Sequence, residues 1–189
     1  MIDQILQEHI DVVKKTGGLK EKINEISVLL NSALSSGKKL LIMGNGGSAA
    51  DSQHFAAEIV GRYKMERSGY PAIALTTDTS IITSIANDYS YDLVFSRQIQ
   101  ALADEGDIVI GISTSGNSKN VMEGFVEAKK HGCKTVSLLG KDGGILKNYS
   151  DYTLIIPSDT TARVQECHIL IIHLLCDLFE KGLVKNGKI

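Results

Sequence analysis

The sequence predicts an α/β protein: a three-layer α-β-α sandwich around a five-stranded parallel sheet, with helices ahead of the first strand. Short uncharged runs rich in β-branched residues alternate with helical stretches from Lys38 onward. Such alternation demands right-handed crossovers and a parallel sheet covered on both faces. Two of the strand-to-helix turns are dense in glycine and polar residues, as suits the carboxyl edge of such a sheet, where ligands bind. At 189 residues, 43% hydrophobic and without Trp, the chain can bury one substantial core and reads as a single domain over 1–189.

Ile2 to Lys15 carries apolar residues at Ile5, Leu6, Ile10, Val12 and Val13 and stops at Gly17-Gly18. Leu19 to Ser36 repeats the pattern with Ile23, Ile26, Leu29, Leu30, Ala33 and Leu34. The spacing gives two amphipathic helices with a glycine break. Because this pair, residues 1–36, precedes the first strand, its stripes could bundle with a neighbouring subunit; packing on its own domain is the simpler arrangement. Strands are expected at Lys39 to Met43, Ala72 to Thr76, Asp107 to Ser113, Lys134 to Leu139 and Tyr152 to Pro157. Helices are expected near Ser48 to Tyr63, Thr79 to Asn87, Tyr91 to Ala103, Asn117 to His131 and Gly143 to Tyr149. A closing helix runs from Thr161 toward Lys181.

The formal net charge of -2 offers no bulk attraction to nucleic acid or to anionic lipid. The start at Met1 lacks the basic-then-apolar pattern of a signal peptide, and no apolar run approaches the length of a membrane span. Cytoplasm is the expected compartment. Cys133, Cys167 and Cys176 sit in apolar contexts and read as small buried residues rather than a disulfide framework.

The most informative stretch is Gly111 to Asn120, which follows the apolar run Asp107-Ile108-Val109-Ile110 and leads into a helix. Strand, tight loop and helix in that order make an anion cradle. The first-turn N–H groups lack intrahelical partners, the helix dipole adds positive potential, and Gly116 allows close backbone approach. Ser113, Thr114, Ser115 and Ser118 add hydroxyl donors. An ordinary capped loop needs only one such residue, so a bound phosphate is the better reading.

Gly44-Asn45-Gly46-Gly47-Ser48-Ala49 after the first strand fits the loose dinucleotide pattern G-x-G-x-x-A. That pattern wants an acidic residue at the end of the second strand, and Glu66 falls too early and Asp78 too late. A glycine loop facing a sugar hydroxyl or phosphate fits better. Ser48 opens a capping-box-like start and is able to serve both purposes. His54 and Glu58, one turn apart on the helix that follows, can reach one point in space. Their spacing alone is equally that of a surface ion pair. The apolar run Ala49, Ala50, Phe55, Ala56, Ala57, Ile59 and Val60 argues against a fully solvated helix.

In the closing helix, apolar residues surround His173 on nearly every side, and a buried imidazole must be hydrogen-bonded or bound to something. Gln165 lies eight positions earlier, roughly 12 Å along the axis. The two meet at one ion only if their side chains reach toward each other; otherwise they come from different subunits. His168 points away from His173 and reads, with His9 and His131, as a structural or surface histidine.

These residues together resemble the sugar isomerase (SIS) family, and within it the bacterial phosphoheptose isomerases. The resemblance rests on Gly44 to Ser48, His54-Phe55-Ala56-Ala57-Glu58, Gly61-Arg62-Tyr63, Tyr70 to Ala74, Asn87-Asp88, Gly111 to Ser118, Gly140 to Gly144, and Arg163-Val164-Gln165-Glu166 followed by His173. It implies an SIS, Rossmann-like fold and isomerisation of sedoheptulose 7-phosphate to D-glycero-D-manno-heptose 7-phosphate for lipopolysaccharide, capsule or other surface glycans. It also implies a homotetramer with sites at subunit contacts, and one Zn²⁺ per subunit held by His54, Glu58, Gln165 and His173. Substrate contacts carry over to Asn45, Gly46, Gly47, Ser48, Glu58, Asn87, Asp88, Ser113, Thr114, Ser115, Ser118 and Gln165. Some family members carry an acidic residue where this chain has Ala162, which receives no role.

Moving a carbonyl between C1 and C2 requires removing one carbon-bound proton and delivering another, through an enediol or enediolate. Glu58 is expected as the base and His173 as its acid partner. Two other readings compete within the same fold: a non-catalytic protein that binds a replication initiator, and a sugar-phosphate-sensing regulator. A binding module has no need of the His54, Glu58, Gln165 and His173 set. The N-terminal helices are too acidic for a DNA-binding segment.

Overall fold

The structure is a computed structural model that describes residues 1–188, and its elements are counted among them. Five parallel strands form one sheet: β1 (Leu40–Gly44), β2 (Ala72–Ala74), β3 (Ile108–Ser113), β4 (Lys134–Leu139) and β5 (Tyr152–Ile155), in the order β2-β1-β3-β4-β5. Seven α-helices accompany them: α1 (Ile2–Thr16), α2 (Lys20–Ser35), α3 (Gly47–Val60), α4 (Thr79–Asp88), α5 (Ser96–Leu102), α6 (Lys119–Lys130) and α7 (Thr161–Lys185). The expected three-layer sandwich is the one observed. No described helix is long and apolar enough to cross a membrane.

Successive side chains of a strand point to opposite faces, so β1 and β3, buried along their whole length, need cover on both. Leu40, Ile42, Ile108, Ile110 and Ile112 enter one core with Phe55 and Ile59 of α3, Leu30 of α2 and Ile172 and Phe179 of α7. Leu41, Met43 and Val109 enter a second core with Ile99 of α5 and Val121 and Phe125 of α6. Each such fully buried side chain contributes about 1.5–3 kcal/mol. The three cysteines are free and buried in these layers.

The two N-terminal helices pack on their own domain to different extents. α2 buries Ile23, Ile26, Leu30 and Leu34 on its own domain, whereas α1 buries only Val12 and Thr16 and leaves Ile2, Ile5, Leu6 and Ile10 exposed. A single tight turn, Gly17–Leu19, joins them.

Three expected helices are shorter than their sequence pattern. α3 stops at Val60 because Tyr63, Lys64 and Met65 give their N–H groups to the Glu180 carboxylate instead of to helix carbonyls. The Tyr91 to Ala103 stretch splits into a short turn, Tyr91–Leu93, and α5, because the Ser90 side chain caps Asp92. Of Gly143 to Tyr149 only Leu146–Asn148 is helical, since Gly143 and Gly144 adopt φ of 87° and 53°.

Candidate active site

The sheet order reverses between β1 and β3, and that switch point opens a crevice at their carboxyl ends. Register pairs Met43 with Gly111 and Gly44 with Ile112, so the glycine loop and the hydroxyl loop leave the sheet side by side. Asn45 and Asn120 tie them together: each side-chain amide donates to the other's oxygen at 2.9 Å, and the Tyr91 hydroxyl also donates to Asn45 Oδ1.

In the hydroxyl loop, Ser113 Oγ lies 2.9 Å from Ser118 Oγ and 3.4 Å from Ser115 Oγ. Ser118 occupies the N-cap of α6, yet its side chain makes no capping bond. The hydroxyl therefore stays with the loop, and no side chain caps the first turn of α6. Gly116, at φ 69°, interlocks with the 140–146 loop, and a Cβ there would collide with the Gly143 carbonyl. Leu146 N–H donates to the Gly116 carbonyl and Ile145 N–H to Asn117 Oδ1.

The glycine loop differs from its expected capping. Gly46, at φ 55°, is the N-cap of α3 and no side chain caps the helix, so the capping box of Ser48 does not form. Ser48 is instead buried in the first turn. Gln165 of α7 packs directly on Gly47, where any Cβ would strike its amide. The bare Gly47 is what leaves room for the Gln165 amide against the loop.

A second group of residues forms farther along α3. His54 Nε2 lies 3.2 Å from Glu58 Oε1 and 3.0 Å from His173 Nε2, which arrives from α7. One donor atom from each of the three residues lies within 4.8 Å of the others. His54 is 44% exposed and Glu58 22%, so the cluster opens to solvent on one side. Two imidazoles and a carboxylate converging on one point are a donor set that suits a divalent ion such as Zn²⁺. The surface-pair alternative for His54 and Glu58 thus acquires a third partner that the sequence spacing did not require.

Asp51, one turn before His54, was not singled out by the sequence. Burial pushes its carboxyl up to about 6, with the nearby His54 pulling the other way, and its Oδ2 is buried without a hydrogen-bond partner. An acidic residue three positions before His54, on the same side of the helix, was the available signal. His168 Nε2 donates to the Leu139 carbonyl, 3.1 Å away, and takes no part in the cluster.

The predicted residues do not all converge within one chain. Gly47 and Glu58 stand at opposite ends of α3, ~16 Å apart along its axis. The glycine and hydroxyl loops with Gln165 therefore form one group, and His54, Glu58 and His173 another. Asn87 and Asp88 end α4, where they are exposed and bonded to each other; α4 buries no residue. The cavity beside Asn45 and Tyr91 measures about 80 Å³. Ligand pockets begin near 300 Å³, so the chain alone does not enclose a sugar phosphate there. A depression of about 550 Å³ between α1 and residues 157–160 contains none of the predicted residues.

A parallel sheet with a hydroxyl-lined loop at its switch point, and a His/Glu/His cluster farther along α3, defines an α/β protein with its polar loops at the carboxyl edge of the sheet, where such folds hold ligands. The model of the SIS domain matches residues 5–140. The phosphoheptose isomerase of Geobacter metallireducens is 59% identical over 181 residues, covering 95% of this chain and 96% of that one. Among solved structures, the phosphoheptose isomerase of Neisseria gonorrhoeae superposes with a TM-score of 0.91 at 42% identity, over 95% of this chain and 97% of that one. That of Francisella tularensis superposes with a TM-score of 0.92 at 36% identity, over 95% and 96%. The chain belongs to the SIS domain family and, within it, to the phosphoheptose isomerases: it is a sugar-phosphate isomerase.

Proposed function

We propose that the enzyme converts sedoheptulose 7-phosphate into D-glycero-D-manno-heptose 7-phosphate in the cytoplasm, feeding heptose into lipopolysaccharide, capsule or related surface glycans. The observation that carries this reading is the convergence of His54, Glu58 and His173 within 4.8 Å, in a chain whose relatives bear that activity in their names. The hydroxyl loop, Ser113, Thr114, Ser115 and Ser118, binds the phosphate, aided by the amide dipoles opening α6. Asn45, Gly46, Gly47, Ser48, Gln165, Asn87 and Asp88 hold the sugar hydroxyls.

The Glu58 carboxylate takes the proton from C1 of the ketose, giving the enediolate. His173 delivers a proton to C2, the O1 hydroxyl proton passes to O2 as O1 becomes the new carbonyl, and the proton taken up by Glu58 returns through solvent to His173, which resets the pair. His54, Glu58 and His173, with Gln165 of a neighbouring subunit, would hold one Zn²⁺ per subunit, which would supply Lewis acidity there. A carboxylate bound tightly to a cation is a poor base, so with the metal present Glu58 would need a loose hold on it to take the proton.

The separation of the two residue groups along α3, and the exposed apolar face of α1, support a homotetramer in which each site is assembled across a subunit contact. Incubating the protein with sedoheptulose 7-phosphate, with and without chelator, tests the activity. Glu58→Gln and His173→Gln should each abolish most turnover while leaving a folded oligomer. Near-normal turnover in either variant removes the assigned roles.

A further inference from the structure

We infer that Tyr63, Arg67 and Glu180 form a latch that positions His173 and Glu58 against each other, with Tyr63 the positioning residue for the His173 ring. This rests on the reading of Glu58 and His173 as the working pair. None of the three latch residues belongs to the predicted site.

Arg67 and Glu180 are both 1% exposed and paired at 3.0 Å through Nε and Oε1. The guanidinium also donates to the carbonyls of Glu58 at 2.7 Å, Ile59 at 3.0 Å and Ser68 at 3.0 Å. Those first two are carbonyls of the last turn of α3, which has no further helix to satisfy them. Arg67 thereby closes the end of the helix at the residue whose side chain joins the cluster. Only a planar fork with five donors can serve so many acceptors at once.

Glu180 lies two turns beyond His173 on α7. It accepts the N–H groups of Tyr63, Lys64 and Met65, each at 2.9 Å. Burial alone would raise its carboxyl, but these three N–H groups and Arg67 outweigh that and hold it below the ordinary glutamate value. One buried carboxylate on α7 thus fixes the chain that leaves α3. The consequence is the placement of Tyr63, whose ring stacks on His173 at 5.5 Å between centroids and 24° between planes. His173 is held between this ring and His54, whose ring meets it edge-on at 5.1 Å. Lys64 Nζ binds Asp177, one turn past His173, at 3.2 Å and secures the same segment from outside.

Removing the Tyr63 ring frees the His173 imidazole to rotate, while a leucine keeps apolar cover on the edge of the core that Tyr63 packs against. The test uses the full chain as wild type, Tyr63→Leu, Tyr63→Phe and Arg67→Lys. Zn²⁺ affinity is read by competition with a chromogenic chelator, melting temperature by circular dichroism, and kcat and KM on sedoheptulose 7-phosphate. Tyr63→Leu is expected to lose about tenfold to hundredfold in both Zn²⁺ affinity and kcat, with KM within about twofold of wild type and an unchanged melting temperature. Tyr63→Phe, which keeps the ring, restores both. Arg67→Lys, which keeps the charge but not the fork, reproduces the Zn²⁺ loss.

Wild-type affinity and kcat in Tyr63→Leu, or losses that track a fall in melting temperature without rescue by Phe, overturn the latch. If wild type binds Zn²⁺ but does not isomerise the substrate, the isomerase reading fails, while weakened binding in Tyr63→Leu still upholds the latch. If wild type turns over and Tyr63→Leu equals it in every measurement, the latch fails alone.

Discussion

His54 and His173 stand 119 positions apart in the chain, and their Nε2 atoms lie 3.0 Å from each other. Two imidazole nitrogens at that separation either share one proton or turn their lone pairs toward a common ion. With Glu58 Oε1 3.2 Å from His54 Nε2, the second arrangement has a ready third donor. Dialysis against a chelator should therefore cut activity to below about a tenth of its starting value, and one Zn²⁺ per subunit should restore it. Metal analysis of His54→Ala should show the site largely empty. Full activity in a verified metal-free preparation removes the metal from the account.

Ser118 separates phosphate binding from capping, because its hydroxyl sits at the helix start without making a cap. Ser118→Ala should leave stability within about 0.5 kcal/mol of wild type. The lost charge-assisted bond should raise KM about tenfold or more. Unfolding by denaturant and steady-state kinetics measure the two quantities; a stability loss at constant KM would show an ordinary capped loop.

Gly116 combines a positive φ of 69° with direct contact to the 143–144 backbone. Neither the φ nor the space admits a Cβ. Gly116→Ala should destabilise the protein by at least about 2 kcal/mol and should also weaken phosphate binding, because the loop cannot keep its shape. Inorganic phosphate titrated against the isomerase reaction gives the second readout.

His168 predicts an acid-sensitive stability. Burial lowers its pKa from 6.5 to about 4, against the opposing bond to the Leu139 carbonyl. The unfolded chain then binds a proton that the folded chain refuses. The stabilisation is complete above pH 6.5 and is lost as pH falls toward 4. Between pH 7 and pH 4.5 wild type should lose roughly 2–3 kcal/mol more than His168→Gln. Denaturant melts of both proteins at the two pH values check this, and equal losses would remove His168 as the cause.

Ile5, Leu6 and Ile10 lie exposed on one helix that has little else to hold. Leu6→Glu with Ile10→Glu should reduce the assembly to smaller species in light scattering and abolish turnover, while circular dichroism stays close to wild type. An unchanged mass would exclude α1 from the subunit contact.

Local chemistry in the sequence determined the layered sheet, the hydroxyl loop and the pairing of His54 with Glu58. Each depends on period, propensity or spacing within a dozen residues, and such signals survive without knowledge of the rest of the chain. The end of α3 could not be read that way, because Glu180, more than a hundred positions later, withdraws the N–H groups of Tyr63 to Met65. The 140–146 loop escaped for a similar reason: its glycines take their conformation from contact with Gly116. Only the tertiary structure decided that His173 joins His54 and Glu58 while Gln165, on the same helix, packs on Gly47 instead. α3 and α7 pack along most of their length, and residues eight positions apart on α7 therefore meet opposite ends of α3. Helix pitch makes both residues visible as candidates, but the docking of two helices, set by the whole apolar core, chooses the neighbours of each.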